Sequence, residues 1–287
     1  MGGGLWVCAA VSASVVVVIG GFVVGESWSG VSRLGAGRFW SDGSWHPTEG
    51  RYGMWPMVVG SLAVMGGAML WAGPLGVVSA LFCRWYAPGW VAKTYRRVLE
   101  LLAGIPSVVF GFWGLVTLVP MVGWWEPPGA SLLAGVLVVG LMVLPTVALL
   151  SEAAVGSVGP EVVKGAAALG LGRGSVLGRV VLPAARPGIV TAMLLAAGRA
   201  VGETMAVLMV CGNVVQVPGS VFDPVRTLTA NIALEMAYAM ADHRSVLFVS
   251  GSVLLLVVVG LVLMAEALSH GRLRGSGVGG TGGRGDV

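Results

Sequence analysis

Six long apolar runs dominate the pattern of this chain: residues 5–25, 54–82, 99–122, 130–150, 188–212 and 245–265. A helix needs about 20 consecutive apolar residues to cross the hydrocarbon core of a bilayer, and each run supplies them. None alternates apolar and polar positions as the strands of a membrane barrel do. Backbone N–H and C=O groups must be satisfied internally in lipid, so continuous runs predict an all-α integral membrane protein with six transmembrane helices. Charged positions are confined to the connections, with three exceptions. Glu100 lies near an end of the third run, and Arg199 and Glu203 lie near the middle of the fifth.

The connections set an orientation. Lys and Arg favour the cytoplasmic side. The N-tail, 83–98, 151–187 and the C-tail together carry eleven, whereas 26–53, 123–129 and 213–244 carry five. Both termini are therefore expected in the cytoplasm. No basic segment precedes the first run, which reads as an uncleaved anchor rather than a signal peptide. Tryptophans prefer membrane interfaces. Trp28, Trp40, Trp45 and Trp55 flank the first outer loop, Trp85 and Trp90 an inner edge, and Trp124 and Trp125 an outer one. The organisation expected is an anchor and outer loop over 1–53, a transmembrane domain over 54–268, and a disordered Gly-rich tail over 269–287.

Composition agrees. Of 287 residues, 56% are hydrophobic and 10% charged, with mean hydropathy +0.90. Soluble domains average about 25% charged residues. The net charge of +4 is spread over short loops, which argues against nucleic acid as a partner. Cys8, Cys83 and Cys211 are odd in number and lie in or beside apolar runs, so no disulfide framework is expected. No P-loop sequence occurs, and "GLGRG" at 170–174 has no βαβ context. His46, His243 and His270 are scattered, so no metal site is expected. No nucleophile–base or paired-carboxylate constellation stands out. No catalytic chemistry is therefore expected of this chain.

The loop 151–187 is patterned rather than floppy. Pro160 suits a first helical position, Glu161 complements the positive end of the helix dipole, and Gly170 suits a helix end. Two prolines, Pro183 and Pro187, are expected to separate a second short helix from the fifth span. On pattern alone the loop is either an interfacial connector or a docking helix for a cytoplasmic partner.

Arg199 lies roughly 17 Å along the fifth run from Gly188, near mid-membrane, and Glu203 follows at i+4. A central charge costs at least about 2.5–3.5 kcal/mol on insertion scales. Both side chains are therefore expected to face the protein interior or water. Gly198 and Gly202 form a GxxxG step that would admit a neighbouring helix. In one reading the two charges neutralise each other and glue helices together. In the other, Arg199 makes permanently charged contacts to an oxyanion while Glu203 is its resting counter-ion. Thr204 adds a hydroxyl that either serves the path or bonds its own helix.

Particular motifs resemble a known family. Anchored on Leu182 and Pro183, the inner loop is similar to the coupling loop of ABC importer permeases. Gly170 falls on the family's glycine, Val180 on its isoleucine, and Lys164-Gly165-Ala166 on its Glu-Ala-Ala; Lys164 replaces the glutamate. The "EAA" at 152–154 falls twelve residues too early. "LAGIPSVVFGFWGL" (102–115), "MVLPTVALLSEAA" (142–154), "GRAVGETMAV" (198–207) with Gly212-Asn213, and "RTLTANIALEMAYA" (226–239) resemble the PstC-type permeases of bacterial phosphate importers. The resemblance runs from about Trp40 to Leu268. It implies the type I ABC importer permease architecture and a path for phosphate through Arg199, Glu203 and Thr204. It also implies an ATPase-coupling loop carrying Glu161, Lys164, Ala166, Gly170, Leu182 and Pro183. The partners implied are a PstA-type sister permease, two cytoplasmic ATPase subunits using ATP and Mg, an extracytoplasmic phosphate-binding protein and membrane lipid. No cofactor is expected on this chain. Another oxyanion such as sulfate or molybdate, or a non-transporting scaffold, are the alternatives.

Overall fold

The computed structural model describes residues 2–42 and 44–270; the Gly-rich tail expected to be disordered lies outside the described residues from 271 onward. The order is α1 (Gly2–Leu34), α2 (Arg38–Ser41), β1 (Trp45–His46), β2 (Arg51–Tyr52), α3 (Trp55–Leu81), α4 (Gly89–Gly104), α5 (Ser107–Trp113) and α6 (Val119–Gly123). It continues with α7 (Leu132–Gly156), α8 (Pro160–Ala168), α9 (Arg173–Val176), α10 (Leu182–Val201), α11 (Met205–Val210), α12 (Leu228–Glu235) and α13 (Ala241–His270). Among the described residues, five helical stretches are long and apolar enough to cross a membrane. They become six if Gly89–Gly104 and Ser107–Gly123 count as one span.

Three sequence expectations change here. The third run is not one helix: α4 ends at Gly104, and Ile105 and Pro106 are extended, with ψ of 129° and 141°. A residue before proline is pushed out of the helical region, and proline cannot donate to the ladder. The fifth run is not one helix either, because α10 stops at Val201 and α11 begins at Met205. Third, Pro183 and Pro187 do not separate the inner loop from the fifth span. Residues Arg173–Val201 are helical throughout, with a π turn over Leu177–Val181. Similar π turns cover Phe82–Tyr86 and Gly114–Leu118. Each ends two residues before a proline: Pro88, Pro120 and Pro183. At Pro120 and Pro183, where the helix continues, a widened turn relieves the clash between the proline ring and the carbonyl four residues earlier; at Pro88 the chain is extended and the helix has ended.

The chain forms two compact units, Met1–Gly67 with Pro106–Val139 and Ala200–Val258, and Ala68–Ile105 with Gly140–Arg199 and Val259–Val287. In the first unit, α1 packs on α13 through small residues. Ser27 and Ser252 hydroxyls lie 2.6 Å apart, Ser29 donates to Ser245 at 3.0 Å, and a Cβ on Gly30 would sit 3.2 Å from Ser245. Such close seams are how membrane helices associate without a hydrophobic driving force. The hairpin β1–β2 pairs Trp45 with Tyr52 and His46 with Arg51. It delivers Trp45 and Tyr52, beside Phe39 of α2, into a core with Met54, Met57, Leu228, Val246 and Leu247. In the second unit, α8 buries Ala166, α9 Val176 and the π turn Leu177, against Val155, Val181 and Ile189.

Candidate functional site

The break at residues 202–204 lies within the run that sequence pattern reads as continuous. Arg199 stands in the last turn of α10 and Glu203 just before α11. A cation is favoured at a helix C-terminus and an anion at an N-terminus, so each charge occupies the helix end whose dipole suits it. The i,i+4 pairing on one helix face therefore does not exist, and no Arg199–Glu203 bridge is among the ion pairs of the described residues. Instead a Glu203 carboxylate oxygen accepts from the Ala206 N–H at 3.3 Å, capping α11. The Glu203 carbonyl, freed by the break, accepts from the Thr229 hydroxyl at 2.7 Å. Thr204 donates to the Gly202 carbonyl at 3.2 Å, a bond inside the break and not along a helix of its own. Glu203 and Thr204 are half-buried, whereas Arg199 is exposed.

The glycine step also reads differently. A Cβ on Gly198 would meet nothing within 4 Å, so no helix among the described residues fills the expected seam there. The tight approach involves α5 and α11 instead. A Cβ on Gly111 would stand 2.9 Å from Ala206 Cα, and one on Gly114 would stand 2.7 Å from Val138 and 2.9 Å from Val210. Asn213, at φ +56°, donates its amide to the Leu208 carbonyl at 2.7 Å and closes the far end of α11.

A buried polar cluster supports this segment, and sequence reasoning missed it. Glu235 is 6% exposed. Its carboxylate accepts from the Trp45 indole N–H and from the Arg226 guanidinium, each at 2.8 Å, and lies 2.8 Å from His243 Nε2. Arg226 also donates to the Asn213 carbonyl at 2.9 Å and to Asn231 Oδ1 at 3.1 Å. Trp45 is thus a buried hydrogen-bond donor, not the interfacial anchor its position suggests. Tyr52 packs edge-on to Trp45, and burial, then the Asp242 carboxylate, push its phenol above the usual range. The start of α12 is equally constrained. Thr227 accepts from the Ala230 N–H at 3.2 Å as an N-cap, and the Leu228 N–H donates to Ser61 at 2.9 Å. Gly60 permits this crossing, since a Cβ there would lie 2.8 Å from the Arg226 carbonyl. The motif around residues 226–239 therefore ties the hairpin, α3 and the Glu203 break into one hydrogen-bonded network.

The inner loop has the form that its sequence predicts at α8. Pro160 opens the helix and Glu161 lies in its first turn. Gly170, at φ +81°, ends it: the Leu171 N–H reaches the Ala166 carbonyl and the Gly170 N–H reaches the Ala167 carbonyl. This is a Schellman cap, and its usual apolar contact is present because Ala166 and Leu171 join the same core cluster. Glu161, Lys164 and Leu169 remain exposed, as does Pro183, while Leu182 is half-buried. The early Glu152 of "EAA" is not available to a partner. It is buried on α7 and forms a two-bond ion pair with Arg96 of α4.

Among the described residues no group of three or more His, Cys, Asp or Glu could hold a metal ion. The geometry therefore offers a broken membrane helix with a charge at each new end, and a solvent-facing inner helix.

Comparisons with known proteins agree with that geometry. Residues 72–272 match the family described as binding-protein-dependent transport system inner membrane component. A probable ABC transporter permease protein, YqgH of Bacillus subtilis, is 39% identical over 85% of this chain and 80% of its own length. Phosphate transport system permease proteins are also similar. PstC of Haemophilus influenzae is 31% identical over 84% of this chain and 83% of its own, and PstC 1 of Mycobacterium tuberculosis 36% over 79% and 72%. Among solved structures, a bacterial ABC transporter involved in import of the acidic polysaccharide alginate superposes with TM-score 0.63. It is 14% identical and covers 92% of this chain and 95% of that one. The chain belongs to the binding-protein-dependent transport system inner membrane components, and is a membrane permease subunit of an ABC importer, not an enzyme.

Proposed function

We propose that the chain is the PstC-type permease of an ATP-driven phosphate importer. It would form the path with a PstA-type sister permease, receive phosphate from an extracytoplasmic binding protein, and couple to two cytoplasmic ATPases that use ATP and Mg. The relatives named for phosphate transport support the substrate. The observation that carries the mechanism is Arg199: a permanently charged, exposed guanidinium on a membrane-spanning helix with no acidic partner among the ion pairs of the described residues. Such a group is costly in lipid and marks a water-filled or partner-lined path. In this role Arg199 contacts phosphate oxygens. Glu203 and Thr204 shape the break, and non-helical backbone at this depth is tolerated where it is buried in protein or lines a cavity. Glu203 is then a structural neighbour of the path more than a counter-ion.

The exposed face of α8, with Glu161, Lys164 and Leu169, is the surface offered to an ATPase. Ala166, Gly170, Leu182 and Pro183 set its shape. Uptake of labelled phosphate by vesicles holding the assembled complex, with sulfate and molybdate as competitors, tests the substrate. Phosphate alone should compete; equal competition by either other anion would point to a different oxyanion importer.

A further inference from the structure

A cavity of about 430 Å³ opens where the end of the α3 segment, the end of α7 and the start of α8 meet. Its walls are mixed. Val155, Val163 and Val181 make them apolar, while Arg84, Lys164 and Trp85 bring polar groups. Arg84 and Lys164 are exposed and form none of the ion pairs among the described residues. The guanidinium of Arg84 lies across Gly156, where a Cβ would sit 3.8 Å from its Cζ. The Trp85 indole N–H is buried and has no hydrogen-bond acceptor among the described residues. An unmet buried donor costs about 1–3 kcal/mol, so this N–H calls for an acceptor that the described residues do not supply.

Two cations, one stranded donor and an apolar wall define a ligand that is anionic, rich in acceptor oxygens, and apolar on one side. Arg84 and Trp85 lie in the final turn of the apolar helical stretch Trp55–Tyr86, which is long enough to cross a membrane. We propose that the cavity binds the phosphodiester of an anionic phospholipid. One phosphate oxygen accepts from Trp85 Nε1, Arg84 and Lys164 flank the charge, and an acyl chain lies along Val158, Pro160 and Val163 at the open side of the cavity. Free phosphate shares the headgroup chemistry but leaves the apolar wall uncovered. Basic pockets between membrane helices favour lipid headgroups, each cation near an anionic surface contributing appreciably. Lys164, which replaces the glutamate of similar coupling loops, acquires a role in this way.

The test is lipid retention by the purified full-length chain, read by native mass spectrometry with phosphatidylglycerol, phosphatidylcholine or inorganic phosphate as probe. Wild type should retain phosphatidylglycerol over phosphatidylcholine by about tenfold. Arg84→Gln with Lys164→Gln should remove that preference, and Trp85→Phe, which deletes only the donor, should reduce it several-fold. Retention of phosphatidylglycerol unchanged in the double variant would overturn the proposal. So would inorganic phosphate binding that depends on these residues while lipid retention does not.

Discussion

Replacing Glu235 by alanine tests the buried network most sharply. The change removes the acceptor shared by Trp45, Arg226 and His243. Removing one member of a buried ion pair costs about 3–5 kcal/mol, mostly because the other charge is left unpaired. The Arg226 side chain keeps 19% exposure and its bonds to Asn213 and Asn231, so the lower end, about 3 kcal/mol, applies. For chains of this size a loss of 1 kcal/mol lowers Tm by about 2–4 °C, which gives a fall of about 6–12 °C. Thermal unfolding of the detergent-solubilised protein, followed by size-exclusion fluorescence, measures it. Arg226→Met combined with Glu235→Met should lose less than Glu235→Ala, since apolar replacement of both charges strands neither. A fall below about 2 °C for Glu235→Ala would refute the reasoning, because water would then be satisfying Arg226 and His243.

Other outcomes follow from individual contacts. Thr227→Ala deletes the N-cap of α12 and should cost about 1 kcal/mol in the same melt. Gly111→Ala would press a methyl onto the α11 backbone and should cost about 1–3 kcal/mol. Gly198→Ala should leave the isolated chain as stable or about 1 kcal/mol more so, because its Cβ meets nothing there. The same variant should weaken assembly with a sister permease if that chain packs on the open surface, read as the fraction of complex recovered on co-purification.

Local chemistry was legible in the sequence where a single segment carries it. Pro160, Glu161 and Gly170 specify α8 and its end without help from elsewhere, and the apolar runs mark the membrane helices. The Glu235 network was not legible, because its partners stand 190, 9 and 8 residues away and none shares a helix with it. The break before α11 was hidden for a different reason. Hydropathy continues across it, and the spacing of Arg199 and Glu203 imitates an i,i+4 pair although the backbone between them leaves the helix. Here the electrostatics of two helix ends replace those of a side-chain pair. Proline-linked π turns were equally hidden, since proline usually signals a stop. At Pro183 and Pro187 the helix continues instead.

The central claim is that Arg199 serves substrate rather than Glu203. It is tested by phosphate uptake into vesicles containing the fully assembled complex with Arg199→Ala, alongside Arg199→Lys and wild type. Uptake by the alanine variant should fall to the level of vesicles without the complex, while its subunits still co-purify, and lysine should restore only part. Normal uptake by the assembled alanine variant would contradict the account.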